Sequence, residues 1–394
     1  MNRREFVVAT GVGLSGALAG CSGDSTAESG GTSESDASTP TQTAAASDDT
    51  ATEAAETATE ESTSSSYTVS MEPVGDVTFD SVPETWVANN GSWADMGIAL
   101  GLEPPKGVWL PSRYHTQYYD DIPGVSVDGS SIKQLWGEGG VGKEQFYELD
   151  ADVHVIDPNF LVNRGSWKQA DVDEIENQVA PFFGNSIFST GYTWHDYTYY
   201  SLYEAFEKLS QAFQRTERFE AFQSLHEEFQ TAVGDVVPGS SSERPRVAIM
   251  WAAGNEPEKF SPYLIESGTS FKQWRDLEVR DAFAETDVRD FHSDRGQVDF
   301  ETLLEIDPEY LMMRGHENQT RAEFEDTLVA FLEDHSVASQ LTAVENGNVH
   351  RGGPLYQGPI TNLVVTERAA SQVYGVEDDL FDRQRVADIV AGDA

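Results

Sequence analysis

Two segments far apart in the chain read alike: Glu144-Gln-Phe-Tyr-Glu148-Leu149-Asp150-Ala-Asp152-Val-His-Val-Ile156 and Glu301-Thr-Leu-Leu-Glu305-Ile306-Asp307-Pro-Glu309-Tyr-Leu-Met-Met313 align without a gap. Each reads as a helix with Glu near its start, an acidic break and a buried strand. One such match is common in alternating helix–strand chains. Two copies flanking a long amphipathic stretch favour duplication or pseudo-symmetry. In that stretch Leu202, Phe206, Leu209, Phe213, Leu225, Phe229, Val233 and Val236 lie on one helical period, with Pro238-Gly239 as the stop. The spacing predicts one continuous helix, roughly 50 Å long at 1.5 Å per residue.

Short apolar runs on either side alternate with helical stretches. Val108-Trp109-Leu110, Val153-His154-Val155-Ile156, Val247-Ala248-Ile249-Met250 and Tyr310-Leu311-Met312-Met313 are bounded by Pro, Gly or Asp, as α/β strands are. The expected fold class is therefore α/β, with two lobes joined by a single long rigid helix. The first lobe is placed at 67–197, the connecting helix at 198–237 and the second lobe at 238–394.

The N-terminus reads as an address. Arg3-Arg4 precede an apolar run from Val7 to Leu18 that is too short to span a bilayer, and the pair resembles the twin-arginine export signal. Leu18-Ala19-Gly20-Cys21 resembles a lipobox, so 1–21 is expected to be a lipoprotein signal with Cys21 the lipidated residue. An uncleaved anchor with an incidental Cys is the rival reading. Cys21 is the sole cysteine, so no disulfide can form within the chain. Residues 22–66 are Ser-, Thr-, Ala- and acid-rich with no aromatic or basic side chain. Such a composition predicts a disordered acidic stalk.

The chain carries 68 acidic and 25 basic residues, a formal charge of -43. Ten of the acids lie in the stalk, so the rest is acidic as well. Self-repulsion on this scale is relieved by molar salt, where the screening length falls to about 3 Å, which suggests a halophilic source. The charge argues against nucleic acid as a partner. It does not by itself point to a cationic ligand, because a solvated acidic surface explains it.

The order of these elements resembles the periplasmic-type binding proteins for ferric siderophores, haem and vitamin B12, the ligand-capturing components of ABC importers. The resemblance runs from about Val77 to the C-terminus. It rests on Ser92-Trp-Ala-Asp-Met-Gly-Ile-Ala-Leu100-Gly101-Leu102, on the two echoing segments, and on Val344-Glu-Asn-Gly347-Asn-Val349-His-Arg351. It departs at Asp95, where the family usually carries Glu, and at the aromatic loop from Tyr192 to Tyr200, which has no counterpart.

The resemblance implies ligand capture in a cleft between the lobes, delivery to an ABC permease dimer with its ATPase, and no catalysis or cofactor. Glu144 and Glu301, one at the start of each echo, would dock the permease. Two anionic knobs in pseudo-symmetric positions suit a two-fold partner. Ligand contacts are expected at strand ends. The candidates are Trp93, Trp109, Arg113, Tyr114, Trp136, Asn159, Trp251, Arg295, Arg314 and Tyr356, with Phe160, His316 and Gln357 beside them. Aromatics would stack on a flat or bulky ligand, and arginines would meet carboxylate, catecholate or phosphate. The expected cargo is a small-molecule metal chelate, foremost a ferric siderophore, with cobalamin or haem as alternatives. A surface enzyme, or a sensory or adhesive lipoprotein on the same scaffold, is the alternative function.

Gly137-Glu-Gly-Gly-Val-Gly142-Lys143 fits the start of a phosphate-binding loop, but Glu144 stands where Ser or Thr should, so a flexible glycine loop is expected. The eight histidines show no metal-ligand spacing, which makes a bare ion a poorer cargo than a chelate. Asn90-Gly-Ser92 and Asn318-Gln-Thr320 are glycosylation sequons, a triplet that chance often supplies.

Overall fold

The computed structural model describes residues 66–393; the expected signal, Cys21 and nearly all of the stalk lie outside them. The first part carries strands β1 (Tyr67–Met71), β2 (Gly75–Phe79), β3 (Trp86–Ala88), β4 (Gly107–Val108), β5 (Lys133–Gln134), β6 (Trp136–Gly137), β7 (Gly140–Val141) and β8 (Val153–Val155). Its helices are α1 (Gly91–Ala99), α2 (Lys143–Leu149), α3 (Pro158–Arg164) and α4 (Gln169–Gln178). β5-β4-β3-β8 form a parallel sheet, while β1–β2 and β6–β7 are separate hairpins.

The connecting region holds α5 (Leu202–Ala212) and α6 (Thr216–Val236). The second lobe has β9 (Arg246–Ala252), β10 (Phe260–Tyr263), β11 (Arg280–Asp281), β12 (Tyr310–Arg314) and β13 (Val349–Arg351). Its helices are α7 (Lys272–Asp276), α8 (Phe291–Asp294), α9 (Phe300–Ile306), α10 (Arg321–Phe324), α11 (Ala330–Asp334), α12 (Thr342–Glu345), α13 (Pro359–Tyr374) and α14 (Arg383–Ala391). The sheet order is β10-β9-β12-β13, with β11 also on β9; only β10 runs antiparallel.

The echo is reproduced down to a backbone angle. α2 ends on Asp150 at φ 45° and leads to β8; α9 ends on Asp307 at φ 46° and leads to β12. Asp tolerates this left-handed geometry better than most residues with a Cβ, which accounts for the same residue at both helix ends.

The connecting helix is not continuous, contrary to the periodicity. It breaks after Phe213, with Gln214 at φ 51°, and α5 and α6 fold back on each other. Phe206 meets Phe219 and Phe222, and Tyr203 meets His226, the pairing of an antiparallel helical hairpin. The cause is the polar run Gln214-Arg-Thr-Glu-Arg218, more than one turn without an apolar anchor. α6 alone crosses to the second lobe, about 32 Å for its 21 residues. Arg218 in its first turns donates to the carbonyls of Leu100 and Ala391.

The lobes are not independent. A single apolar cluster contains Trp93, Met96 and Phe183 of the first lobe together with Ile249, Met312, Ile360 and Leu363 of the second. α13 runs against α1, α6 and α7. Polar groups cross as well: Ser189 and Thr190 donate to Glu266, while Gln117 and Tyr118 donate to Glu317. Asn90 is buried, and its side chain accepts from the Ser92 amide at the start of α1, so that sequon is closed to modification. The glycine run forms the β6–β7 hairpin instead of a free loop; Val141 donates to Gly165 O at 3.1 Å, so this segment is pinned. Among the described residues no helix is long and apolar enough to cross a membrane.

Candidate functional site

A cavity of about 280 Å³ lies between the lobes. Trp109, Arg113, Phe160, Arg164, Phe188 and Tyr192 form the first-lobe wall. Trp251, Ser261, Tyr263, Phe291, His292 and Arg295 face them, and Leu355 and Tyr356 close the back. These positions follow from the parallel sheets: Trp109 leaves the end of β4, Trp251 sits near the end of β9, and the loop with Tyr356 follows β13.

The aromatic wall is continuous. Trp109 lies 4.7 Å, centroid to centroid, from both Trp136 and Phe160. Phe188 meets Tyr356 edge-on at 5.3 Å and Tyr192 at 5.7 Å. Tyr263 and Tyr192 flank His292 at 5.0 and 5.7 Å. Three guanidiniums lie on aromatic rings: Arg113 on Trp251 at 5.0 Å, Arg164 on Tyr192 at 6.0 Å and Arg295 on Phe291 at 4.8 Å. Arg113 is half-buried and its charge acts on the Tyr356 hydroxyl, while Arg164 and Arg295 are exposed. Arg295 sits at φ 57°, an uncommon backbone state for a residue with a Cβ. No carboxylate lines the cavity. Burial pushes the Tyr356 hydroxyl above its ordinary pKa, against the pull of Arg113 and Arg164.

His292 is held by Asp290, whose Oδ1 lies 3.1 Å from Nδ1 and accepts from the His292 amide at 2.7 Å. Asp290, His292 and Glu266 bring potential metal-ligating atoms within 4.8 Å of one another, a convergence that local histidine spacing did not show. The carboxylates are already engaged. Asp290 Oδ2 accepts from Leu264 N, and Glu266 Oε2 accepts from Ser189 Oγ and from both the amide and hydroxyl of Thr190. Burial and then the charge of Asp290 push Glu266 above the usual carboxylate range. The trio serves as a clasp between the lobes beside the cavity.

Of the candidates from sequence, Trp109, Arg113, Phe160, Trp251, Arg295 and Tyr356 meet in the cavity wall. Trp136 forms a second layer behind Trp109. Asn159 sits in the first turn of α3 with its amide on Asp157 and does not line the cavity. Trp93 is a core residue, fully buried, donating to Asn185 O at 3.2 Å. Tyr114 is buried against Gly91 and bonds Tyr119 at 2.7 Å, outside the wall. Arg314 is also misplaced by strand-end logic. The last residue of β12 turns inward, and its guanidinium is fully buried against Tyr263 and Phe271, donating to Ser270 O. His316 pairs with Gln319, and Gln357 bridges Ser92, Ser270 and Gln273, so neither is a wall residue.

Nothing local in the sequence singles out Arg164, Phe188, Tyr263, Phe291 or His292. Arg164 closes a helix, Phe188 lies in an irregular segment, and Tyr263 ends the antiparallel β10. The unplaced aromatic loop supplies Tyr192 to the wall, with Trp194 stacked on it at 5.0 Å. Glu144 and Glu301 are both exposed and occupy the second position of α2 and of α9.

The family model for periplasmic binding proteins matches residues 144–354, more than half of the chain, and the chain belongs to that family. No curated protein matches it. Among solved structures it is similar to a periplasmic binding protein from Veillonella parvula, at 16% identity and TM-score 0.55 over 79% of this chain and 99% of the other. It is also similar to PiuA, the substrate-binding protein of an iron uptake ABC transporter from Streptococcus pneumoniae, at 17% identity and TM-score 0.53 over 77% and 98%. The petrobactin-binding protein YclQ from Bacillus subtilis gives 14% identity and TM-score 0.53 over 78% and 99%. At these identities the likeness is one of fold.

Proposed function

We propose that the chain is the substrate-binding component of an ABC importer and captures a ferric siderophore or similar metal chelate in the interlobe cleft. The observation that carries this reading is the cavity itself, walled from both lobes by rings suited to a flat or bulky ligand. Arg3-Arg4 would direct export, and a lipid on Cys21 would hold the protein at the outer face of the membrane on the 22–66 stalk. Two acyl chains on Cys21 give a stable anchor, which keeps the receptor within reach of its permease. Glu144 and Glu301 would present the loaded lobes to the permease dimer. The shared core between the lobes supports a modest closure on ligand, and the acidic surface suits a high-salt medium.

The test is a titration in high salt, following tryptophan fluorescence, against ferric siderophores of several chemical types, haem and cobalamin. Trp109, Trp136 and Trp251 stand at or behind the wall, so a bound ferric chelate should quench them. Quenching by cobalamin or haem alone would move the cargo to that class. Silence toward every one of them would sink the chelate reading.

A further inference from the structure

The sign of charge in the cleft runs against the rest of the molecule. In a chain of formal charge -43, the cavity wall holds three arginines and no carboxylate. Elsewhere arginines either pair with an acid, as Arg244, Arg280, Arg368 and Arg383 do, or are held by backbone carbonyls, as Arg218, Arg246 and Arg275 are. Arg113, Arg164 and Arg295 make no ion pair among the described residues and rest on rings instead. Behind the wall stands a fourth cation: Arg314, wholly buried against the cavity residue Tyr263, with Nε and Nη1 lacking any hydrogen-bond partner.

Glu266 and Asp290 stand beside the cavity, but their oxygens accept from Ser189, Thr190, Leu264 and His292 and do not line it. The charge presented to the cavity is therefore positive, which favours anions over neutral or cationic ligands. A guanidinium lying over a ring also offers its N–H edge to oxygen while the ring accepts a flat group beside it. The cleft therefore matches a ligand with several negative charges spread over aryl oxygens. Three catecholate dianions around Fe(III) leave a net trianion, whereas three hydroxamates leave a neutral complex.

We infer that this cleft selects its cargo by charge, taking polyanionic aryl chelates of the tris-catecholate type over neutral trihydroxamates. The inference rests on the ferric-chelate reading above and adds the class. Arg113, Arg164 and Arg295 are the specificity-determining residues.

The test compares a ferric tris-catecholate and a ferric trihydroxamate on the full chain, with Arg113→Gln, Arg164→Gln and Arg295→Gln beside the parent. The trianion should bind at least about 100-fold more tightly than the neutral complex, and each Gln variant should weaken it roughly 10-fold, as loss of a charge-assisted bond does. Circular dichroism and thermal melting that match the parent show that the variants are folded, and affinity for the trihydroxamate should fall less than affinity for the trianion in each of them. Affinity for the trianion, and not for the neutral complex, should fall with added salt. Equal or tighter binding of the trihydroxamate overturns charge selection and leaves the importer reading standing. Binding of neither, with no other ferric chelate bound, overturns the cargo reading and this inference with it.

Discussion

The carboxylate of Asp95 in α1 accepts the backbone N–H of Ile360, 265 residues further on, at 2.9 Å, and that of Thr361 at 3.1 Å. These are orphan donors in the first turn of α13, where Pro359 has no N–H to give. A side chain of the first lobe thus caps a helix that follows the second sheet, and the Tyr119 hydroxyl donates to the same carboxylate at 2.7 Å. Gly358 is required for the approach, since a Cβ there would come within 2.4 Å of the carboxylate.

Burial raises Asp95 to about 6, against the pull of its hydrogen bonds to Tyr119, Thr361 and Ile360. A carboxyl whose folded pKa lies above its unfolded value near 3.9 binds its proton more tightly in the fold. Its contribution is largest when protonated and declines as pH rises from about 4 through 6. The expected loss is of the order of 3 kcal/mol. Asp95→Asn should remove this component, so urea unfolding of the variant should show a flatter pH profile between pH 4 and 7 than the parent. Asp95→Ala should cost about 1–3 kcal/mol at pH 7, because the buried donors are left bare. Parallel profiles for parent and Asn variant would contradict the assignment.

Glu317 and Arg368 form the opposite case. Arg368 holds Glu317 through two contacts at 3.0 and 3.2 Å, and the Tyr118 hydroxyl and Gly353 amide complete the carboxylate's shell. Burial pushes Glu317 up, but Arg368 and the hydrogen bonds win and hold it at about 2. Its stabilisation is present above the unfolded value near 4.3 and disappears as pH falls toward 2. Glu317→Gln should cost about 3–5 kcal/mol at neutral pH, since it strands a charge. The double variant Glu317→Gln with Arg368→Met should be less damaging than the sum of the singles. Additive losses in chemical denaturation would show that the pair is not coupled.

How far these features could be read from sequence depends on how local they are. The helix–Asp–strand echo was legible because its cause sits within thirteen consecutive residues. The break at Gln214 was missed because apolar residues at 202–213 and 225–236 fit one period when the polar run between them is passed over. Trp109, Trp251 and Tyr356 were reachable from strand ends, whereas Arg164, Tyr263 and His292 arrive from a helix end, an antiparallel strand and a short helix. Arg314 shows the limit of the rule. A strand-end arginine can turn toward either face, and only the packed Tyr263 and Phe271 decide it.

The pseudo-symmetric glutamates give a test that separates recognition of ligand from recognition of permease. Glu144 and Glu301 stand at the second position of matching helices, where a negative charge also complements the helix N-terminus. Reversing both to Arg should abolish uptake into cells while ligand affinity in solution stays within about two-fold, given their exposure. Each single reversal should give an intermediate uptake rate. Normal uptake by the double variant, with the protein present at the cell surface, would remove docking from these two residues.

Arg314 sets two readings of one buried cation against each other. Burial lowers its pKa from the ordinary guanidinium value to about 10. For a base this means the fold disfavours the charged form, and the cost persists at every pH below about 10. The Ser270 carbonyl and the faces of Tyr263 and Phe271 offset part of it, yet Nε and Nη1 remain without partners. A residue kept only for stability would not be built this way, because an apolar side chain of similar length does at least as well in such a site. Arg314→Met should therefore melt no lower than the parent, or within about 1 kcal/mol of it. Its affinity for a trianionic chelate should fall several-fold, because the charge behind Tyr263 is gone, while a neutral chelate should be unaffected. A large drop in melting temperature with unchanged chelate affinity would make Arg314 a structural residue, its hydrogen bond and ring contacts outweighing the cost of burying the charge.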